Sequence, residues 1–474
     1  MATIVSDKGY RRFLSELAEE YTRRFPKSAA LHQDALRHLI DGGSHAARLN
    51  KPFPIRIVSA RGSRVQDVDG HDILDFWQGH YANILGHNPA VVTQALANAF
   101  ASVCGLQTGH PDALEVELAE LLKRRTGAER VRFTTSGTLA TMYAILLAKA
   151  FTRRDLVLKV GGGWHGGHPW GLKGIHYGAQ GFHEPESLGL SPDITEATLV
   201  TRFNDPEDLE EKFRTYGDRI ACFIVEPWMG GVFIPAKPQY LALARSLTQR
   251  YGAVLILDEV QTGFRFRAGD VGTMYGVRPD LAVFAKIVGG GMPLAAVAGS
   301  EAIMQLCSTD RELRARFDGG TFSAHPAAML AAKVMVQYLV NNEAVIYPRL
   351  GEVGDRLRRG AERIFAGHGL LARCTGYGNE AVPASSASAI HFPLRDDVEL
   401  DSPERVSDPQ ICDVTLHERV LKLALLLHDV YIVHGLGAAS TSHTDTDIDR
   451  FLTALDAVAQ RIKENLYESS REHP

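Results

Sequence analysis

The pattern of apolar and polar positions divides the chain into three parts. Between positions 90 and 335, short runs that are apolar on both faces alternate with segments of helical spacing. This pattern is typical of a mostly parallel sheet that helices cover on both sides. The predicted strands are 131–133, 156–158, 220–225 and 253–257, and the predicted helices are 90–103, 113–125 and 138–151. The middle part is therefore predicted to be a doubly wound α/β domain.

The flanking parts, 1–89 and 336–474, have a different texture. Positions 1–25 predict a short amphipathic helix, because charged residues interrupt the apolar core that a signal peptide would need. The turn Asp69-Gly70 between two apolar runs predicts a hairpin. The C-terminal part combines long helical segments with a stretch that is rich in Gly and Pro and is predicted to be mostly loop.

Composition and charge exclude several classes of partner. The 474 residues include 51 Lys and Arg and 56 Asp and Glu, a net charge of −5, so the chain has no general attraction to nucleic acid or to an anionic membrane. No apolar run is long enough to span a membrane. The five cysteines are widely spaced, which favours reduced thiols in the cytoplasm over disulfides or a zinc site. His165 and His168 have no third ligand near them in sequence, so no metal is predicted.

The chemistry is expected where the predicted strands end, because parallel sheets bind ligands at the carboxyl ends of their strands. Ser136-Gly137-Thr138 follows one strand and opens a helix. Its N–H groups and hydroxyls can bind a phosphate, or the serine can simply cap the helix. Asp258 follows another strand and needs a partner, which is either a protonated cofactor ring or a structural salt bridge.

Lys286 stands directly after the apolar segment 281–285. Burial would lower the pKa of its amine and make it a better nucleophile, as in lysines that form Schiff bases, unless the ammonium reaches solvent along a packed stem. The turn Gly319-Gly320-Thr321 is a second candidate for phosphate binding. Together, a phosphate-binding helix start, an acid and a buried lysine are the parts that a pyridoxal phosphate site needs.

These segments, in this order, resemble the class III (subgroup II) aminotransferases of fold type I, in the branch that contains glutamate-1-semialdehyde aminomutase. The resemblance runs from about residue 35 to about residue 460. The matching segments are Asp67-Val68-Asp69-Gly70, Leu85-Gly86-His87, Ser136-Gly137-Thr138, Trp164-His165-Gly166, Glu226-Pro227, 258–265, 286–293 and Gly320-Thr321-Phe322-Ser323. The resemblance implies a large α/β cofactor-binding domain (90–335) around a mostly parallel seven-stranded sheet. It also implies a smaller α+β domain built from both termini (1–89 and 336–474).

The resemblance also assigns roles to residues. Lys286 would carry the cofactor, pyridoxal 5′-phosphate, and move the proton between substrate and cofactor, while Asp258 would keep the ring nitrogen protonated. The other cofactor-binding residues would be Ser136, Gly137 and Thr138 at the phosphate, Trp164 stacked on the ring, and His165, Glu226, Val260 and Gln261 near it. Thr321 would bind the phosphate of the neighbouring subunit's cofactor, which implies a homodimer with shared active sites.

Substrate residues follow from the same resemblance. Arg48 stands where related enzymes have an arginine that binds the substrate carboxylate, a group whose two oxygens match two guanidinium N–H groups; the alternative is an arginine on the surface. Trp77 and Tyr81 would line an aromatic substrate pocket together with His80. The chain departs from the family pattern at Leu139, 161–163, 228–231 and 433–439. None of these positions carries the core chemistry, and they argue against a housekeeping aminomutase.

The expected function is a cytoplasmic aminotransferase that moves an amino group from an amino acid or amine to a keto acid by a ping-pong mechanism. An alternative on the same fold is an aminomutase or an amino-acid racemase, which would need no keto-acid co-substrate. A relative without enzymatic activity is disfavoured, because Lys286, Asp258 and the phosphate-binding residues are all retained.

Overall fold

The computed structural model of the chain describes residues 7–102 and 105–468. The predicted start of the first helix, the end of the predicted helix at Val103, and Cys104 lie outside the described residues. The strands are β1 (Ile57–Arg61), β2 (Arg64–Asp67), β3 (Asp72–Asp75), β4 (Arg130–Thr134), β5 (Leu156–Val160), β6 (Thr198–Thr201), β7 (Ile220–Val225), β8 (Trp228–Met229), β9 (Ile234–Pro235), β10 (Val254–Glu259), β11 (Leu281–Phe284), β12 (Ala295–Gly299), β13 (Arg373–Thr375), β14 (Ala387–His391), β15 (Val430–Tyr431) and β16 (Gly437–Ala438).

Helical segments connect and flank these strands. The α-helices are α1 (Asp7–Arg24), α2 (Pro26–Ala35), α3 (Gln78–Tyr81), α4 (Ala90–Ala101), α5 (Ala113–Thr126), α6 (Gly137–Thr152), α7 (Pro192–Glu196), α8 (Pro206–Tyr216), α9 (Pro238–Tyr251), α10 (Glu301–Met304), α11 (Pro326–Asn341), α12 (Glu343–Gly367), α13 (Pro403–Ser407), α14 (Leu421–Leu426) and α15 (Asp445–Ile462). Short 3₁₀ segments cover Ile40–Gly42, Ala46–Arg48, Gly272–Tyr275, Lys286–Gly289 and Gln305–Cys307, and π-helical segments cover Leu416–Val420 and Lys463–Glu468.

Seven strands form one sheet in the order β4-β12-β11-β10-β7-β5-β6. Strand β12 runs antiparallel to both of its neighbours, and the other pairs are parallel. The predicted mostly parallel α/β architecture is therefore confirmed. The carboxyl ends of β4, β5, β7, β10 and β11 meet at one edge of the sheet, and this edge carries the candidate site.

Helices cover both faces of this sheet. Along β11, Leu281 and Val283 pack into a buried cluster with residues of α6, whereas Ala282 and Phe284 pack into another cluster with residues of α5 and α11. All six residues of β7 and all six of β10 are buried. Alternate side chains of one strand thus enter two different cores, which explains why the strands are apolar without interruption.

A second sheet joins the two ends of the chain. Its strand order is β1-β2-β3-β15, so a strand from the C-terminal part pairs in parallel with β3 from the N-terminal part. The predicted hairpin is confirmed as β2 and β3, and the Asp67 carboxylate accepts hydrogen bonds from the N–H groups of Gly70 and His71, each at 2.8 Å. The division at 89 and 335 stays a prediction. No helix within 7–102 and 105–468 has the length and apolar character that crossing a membrane requires.

Candidate active site

Lys286 follows β11 at the shared edge of the sheet. It opens a 3₁₀ turn in a left-handed conformation (φ 49°), which directs a half-buried side chain toward the ends of the neighbouring strands. Its Nζ donates to the Oε1 atom of Gln261 at 3.5 Å. Burial lowers the pKa of Lys286, and the Arg265 charge lowers it further, while Glu226 and Asp258 oppose the change. A lowered amine pKa increases the fraction of nucleophilic, neutral amine at physiological pH.

Asp258 and His165 form a buried pair beside this lysine. The side chain of Asp258 is on β10, and its Oδ2 lies 2.7 Å from the Nδ1 atom of His165. Its Oδ1 accepts from the N–H of Val260 at 3.0 Å. Burial lowers the pKa of His165, so the imidazole is neutral and its Nδ1–H donates to the carboxylate. Asp258 therefore has the buried hydrogen-bonded partner that its position requires.

Glu226, directly after β7, binds the loop that follows β5. Its carboxylate accepts from the N–H of Trp164 at 3.2 Å and from the N–H of Gly230 at 2.9 Å. Gln261 donates to the carbonyl oxygen of Gly230 at 3.0 Å. Burial, and then the charge of Asp258, raise the pKa of Glu226 to about 8. Glu226 can therefore hold or release a proton near neutral pH.

The start of α6 lies against the ends of the neighbouring strands. The Oγ atom of Ser136 accepts from the N–H of Leu139 at 3.3 Å, so this serine does cap the helix. At Gly137, a Cβ atom would lie 3.0 Å from both methyl groups of Val260. At Gly166 (φ 99°), a Cβ atom would lie 2.6 Å from the Cα atom of Thr138. The two glycines thus let the segments after β4, β5 and β10 approach one another closely.

Two predicted cofactor residues lie on the surface of the chain. Trp164 is 52% exposed, so one aromatic face of its side chain is available to a ligand. Thr321 is exposed in a glycine-rich turn, where its carbonyl oxygen accepts from the Nε2 atom of Gln107 at 2.8 Å. Phe322 beside it is 59% exposed.

The predicted substrate residues differ in exposure. Arg48 is exposed at the end of a 3₁₀ turn, whereas Trp77 and Tyr81 are buried, and the hydroxyl of Tyr81 donates to the carbonyl oxygen of Val433 at 3.4 Å. The ring of His80 lies 4.2 Å from the Trp77 ring and 4.7 Å from the ring of His45. His80 thus contacts both the buried tryptophan and the segment that leads to Arg48.

Sequence reasoning missed two buried cations that support this site. Arg265 donates from Nε to the carbonyl oxygen of Gln261 at 2.8 Å and from Nη2 to the carbonyl oxygen of Tyr81. Lys159 on β5 is fully buried, and its ammonium donates to three carbonyl oxygens of the loop that carries Trp164. The sequence does indicate that Lys159 is unusual, because this lysine stands inside the otherwise apolar segment 156–160.

The sheet topology and the lysine, acid and helix start at its edge define a pyridoxal-phosphate enzyme of fold type I. The sequence profile of class-III aminotransferases matches residues 45–378, so the chain belongs to this family. Glutamate-1-semialdehyde 2,1-aminomutase of Methanosphaera stadtmanae is 34% identical over 447 residues, which cover 93% of this chain and 99% of that protein. Other curated relatives with the same name are 32% to 38% identical.

Two solved structures with the same fold are named transaminases and not aminomutases. An omega-transaminase from Sphaerobacter thermophilus is 30% identical with a TM-score of 0.80, and the match covers 91% of this chain and 97% of that one. A structure described as a transaminase with PLP bound is 27% identical with a TM-score of 0.81, and the match covers 93% of this chain and 99% of that one.

Family membership implies pyridoxal 5′-phosphate as the cofactor, and the residues at the sheet edge fit it. The half-buried Lys286 amine and the buried Asp258 carboxylate supply the nucleophile and the acid that this cofactor needs. The first N–H groups of α6, at Gly137 and Thr138, are at a helix start, where a phosphate can accept from them. The aromatic face of Trp164 is available for stacking on a planar ring.

Proposed function

We propose that the chain transfers amino groups on pyridoxal phosphate and that Lys286 holds the cofactor. The observation that carries this proposal is the half-buried Lys286 amine, with a lowered pKa, within reach of Gln261 and in the field of Asp258 and Glu226. When bound, the cofactor draws electrons away from the carbon that carries the amino group, so that a proton can leave that carbon. Lys286 is positioned to accept this proton and to return it.

Other residues have supporting roles in this proposal. Asp258, oriented by its bond to His165, would keep the ring nitrogen of the cofactor protonated. Trp164 stacks on the ring, and Val260 and Gln261 contact the ring and its oxygen substituent. Ser136, Gly137 and Thr138 bind the phosphate through the start of α6. Glu226 lies near the cofactor and fixes the loop of Trp164 through the backbone N–H of that residue.

The first candidate reaction is an intramolecular transfer, in which the amino group moves between two carbons of one substrate. The curated relatives are named glutamate-1-semialdehyde 2,1-aminomutase, and the match to the Methanosphaera stadtmanae protein covers 99% of that relative. These relatives thus favour the aminomutase alternative over transfer between two molecules. A holoenzyme given glutamate-1-semialdehyde alone should produce its isomer with the amino group at carbon 1, detected by mass spectrometry after derivatisation.

Transfer between two molecules is the second candidate, because the omega-transaminase structure is 30% identical over 91% of this chain. A holoenzyme given an amine and pyruvate should then produce alanine, and glutamate-1-semialdehyde alone should be inert. The Lys286→Ala variant should lose either activity, and Lys333→Ala, in an exposed ion pair with Glu117, should retain it. Full activity of Lys286→Ala would contradict the proposal.

Arg48 is proposed to bind the substrate carboxylate, with Trp77 and Tyr81 in the wall of the substrate pocket. The exposed guanidinium of Arg48 lies close enough to His45 and His80 to lower the pKa of each imidazole. Replacing Arg48 with Ala should raise KM for substrates with a carboxylate and leave amines without one nearly unchanged. Equal effects on both substrates would exclude the carboxylate role.

We also propose a homodimer that shares its active sites and works in the cytoplasm. Thr321 and Phe322 are exposed on one chain, as expected of residues that reach into a partner's site, and the free thiols of Cys222, Cys307, Cys374 and Cys412 suit a reducing compartment. Inactive Lys286→Ala and Thr321→Trp chains, mixed and reassembled, should regain activity, because one site of each hybrid has both native residues. No regain in verified hybrids would refute shared sites.

A further inference from the structure

A strained turn follows β3 and leads into the candidate site. Gln78, Gly79, His80 and Tyr81 have φ angles of 45°, 60°, 60° and 64°, so this one turn of helix is left-handed although three of its residues are not glycine. Left-handed helical conformation is unfavourable for residues that carry a side chain. Strain of this kind persists only where the surrounding structure imposes it, and it is concentrated at functional sites.

Charged groups on both sides fix this turn. The carboxylate of Asp75, at the end of β3, accepts from the N–H of Trp77 at 2.8 Å and from the N–H of Gln78 at 3.0 Å. Buried Arg265 donates to the carbonyl oxygen of Tyr81 and ties it to the segment after β10. The turn is therefore held at its start and at its end, and the residue between them, His80, has a fixed direction.

His80 lies among basic side chains. Burial lowers its pKa to about 3, and the charges of His45, Arg48, Lys286 and His434 contribute in the same direction, so all four groups act on this imidazole. Its Nε2 atom is buried and has no hydrogen-bond partner among the described residues. A buried polar atom needs a partner. An imidazole N–H donor next to the Arg48 guanidinium suits a ligand acceptor with negative charge.

We propose that His80 determines substrate specificity by donating a hydrogen bond from Nε2 to a carboxylate oxygen of the amino substrate, next to Arg48. This inference rests on the proposed amino-group transfer, since it assigns a substrate group to the same site. The carboxylate of Glu418 is paired with the Nε2 atom of His417 at 3.0 Å and with the Nδ1 atom of His434 at 3.4 Å. Glu418 is therefore already paired, and the substrate carboxylate supplies the acceptor for His80.

The binding test uses the holoenzyme and a carboxylate that cannot react. Glutarate has five carbons and no amino or carbonyl group, and 1,5-pentanediol is its neutral counterpart. Calorimetric titration should give a glutarate Kd about tenfold higher for His80→Phe than for the unmodified protein, because one hydrogen bond to a charged group is lost. His80→Gln retains an N–H donor and should restore most of the affinity, and the weak binding of the diol should not change.

Further variants make the test specific to His80. His183→Gln changes an exposed histidine in another loop and should leave the glutarate Kd unchanged. His80→Met also lacks the donor and replaces His80→Phe if that variant does not fold. An unchanged glutarate Kd in the folded His80→Phe or His80→Met holoenzyme, or no glutarate binding by the unmodified holoenzyme, would overturn the inference.

The outcomes separate this inference from the proposed function. If the unmodified holoenzyme transfers no amino group but His80→Phe weakens glutarate binding, the proposed function fails and the carboxylate contact of His80 stands. If amino transfer occurs and glutarate binding does not depend on His80, only the present inference fails. With an active enzyme, His80→Phe should raise KM for an amino acid about tenfold more than for the amine that lacks its carboxylate, and an equal increase would contradict the contact.

Discussion

Lys159 provides a sharp test of how the cofactor-facing loop is held. Its side chain on β5 is fully buried, and its ammonium donates to the carbonyl oxygens of Gly163 at 2.9 Å, Gly171 at 3.3 Å and Lys173 at 2.7 Å. These three carbonyls belong to the loop that carries Trp164. The ammonium has three donors and all three are used, so this one side chain binds the loop to the sheet at three points.

The substitution Lys159→Met keeps most of the length of the side chain and removes the three donors. A hydrogen bond to a charged group contributes about 1.5–3 kcal/mol, while removing an ammonium from water costs several kcal/mol. Burial lowers the pKa of Lys159 to about 8, which reflects this cost. We expect a net loss of about 3 kcal/mol in the ordering of the loop. If pyridoxal phosphate binds only the ordered loop, its Kd rises by up to about 100-fold.

Two measurements on the apoprotein check this expectation. Equilibrium dialysis against pyridoxal phosphate should show the higher Kd, and amide hydrogen exchange should increase in 161–173 but not in β7 or β10. Lys333→Met, a change in an exposed ion pair, should behave as the unmodified protein, and Lys159→Arg keeps the charge and serves if Lys159→Met does not fold. An unchanged Kd together with unchanged loop exchange in folded Lys159→Met would refute the reasoning.

Two further predictions concern single contacts. Gly166→Ala places a Cβ atom against Thr138 at a backbone angle that disfavours alanine, so dialysis should show a Kd for pyridoxal phosphate at least about tenfold higher. In the control Gly167→Ala, the added Cβ atom meets no atom within 4 Å, and the Kd should be unchanged. Equal Kd values for the two variants would contradict the packing argument. Burial and the charge of Asp270 raise the pKa of Glu259 to about 8. Folding therefore takes up a proton at this carboxyl group between about pH 4.5 and pH 8, and the free energy of unfolding falls as the pH rises through this range. Glu259→Gln should therefore lose less Tm between pH 6 and pH 9 in scanning fluorimetry, and the same loss as in the unmodified protein would refute this assignment.

The large sheet could be predicted because its strands are apolar on both faces. Strands β7 and β10 contain large apolar residues, and every residue in them is buried. Strand β12, Ala295–Gly299, escaped prediction because alanine and glycine have low strand propensity. Its position between β4 and β11 depends on pairing with both neighbours, and local sequence carries no signal for that pairing.

Some residues of the candidate site could likewise be predicted from the sequence, and others could not. Asp258 and Lys286 stand out in the sequence, because a charged residue at the end of an apolar run is unusual. Lys159 carries the same signal, but a lysine near a strand end usually reaches solvent, and only the folded chain brings three loop carbonyls to it. The left-handed turn at His80 could not be predicted, since Gln78 on one side and Tyr81 on the other do not favour positive φ.

The most direct test of amino-group transfer at Lys286 is the visible absorption spectrum of the purified protein with pyridoxal phosphate. The spectrum is recorded before and after an amino donor is added without a keto acid. We expect the band of a lysine-bound cofactor in the unmodified protein, its conversion by a donor to the amino form of the cofactor, and no such band in Lys286→Ala. The absence of this band from the unmodified protein, or the same band in Lys286→Ala, would contradict the account.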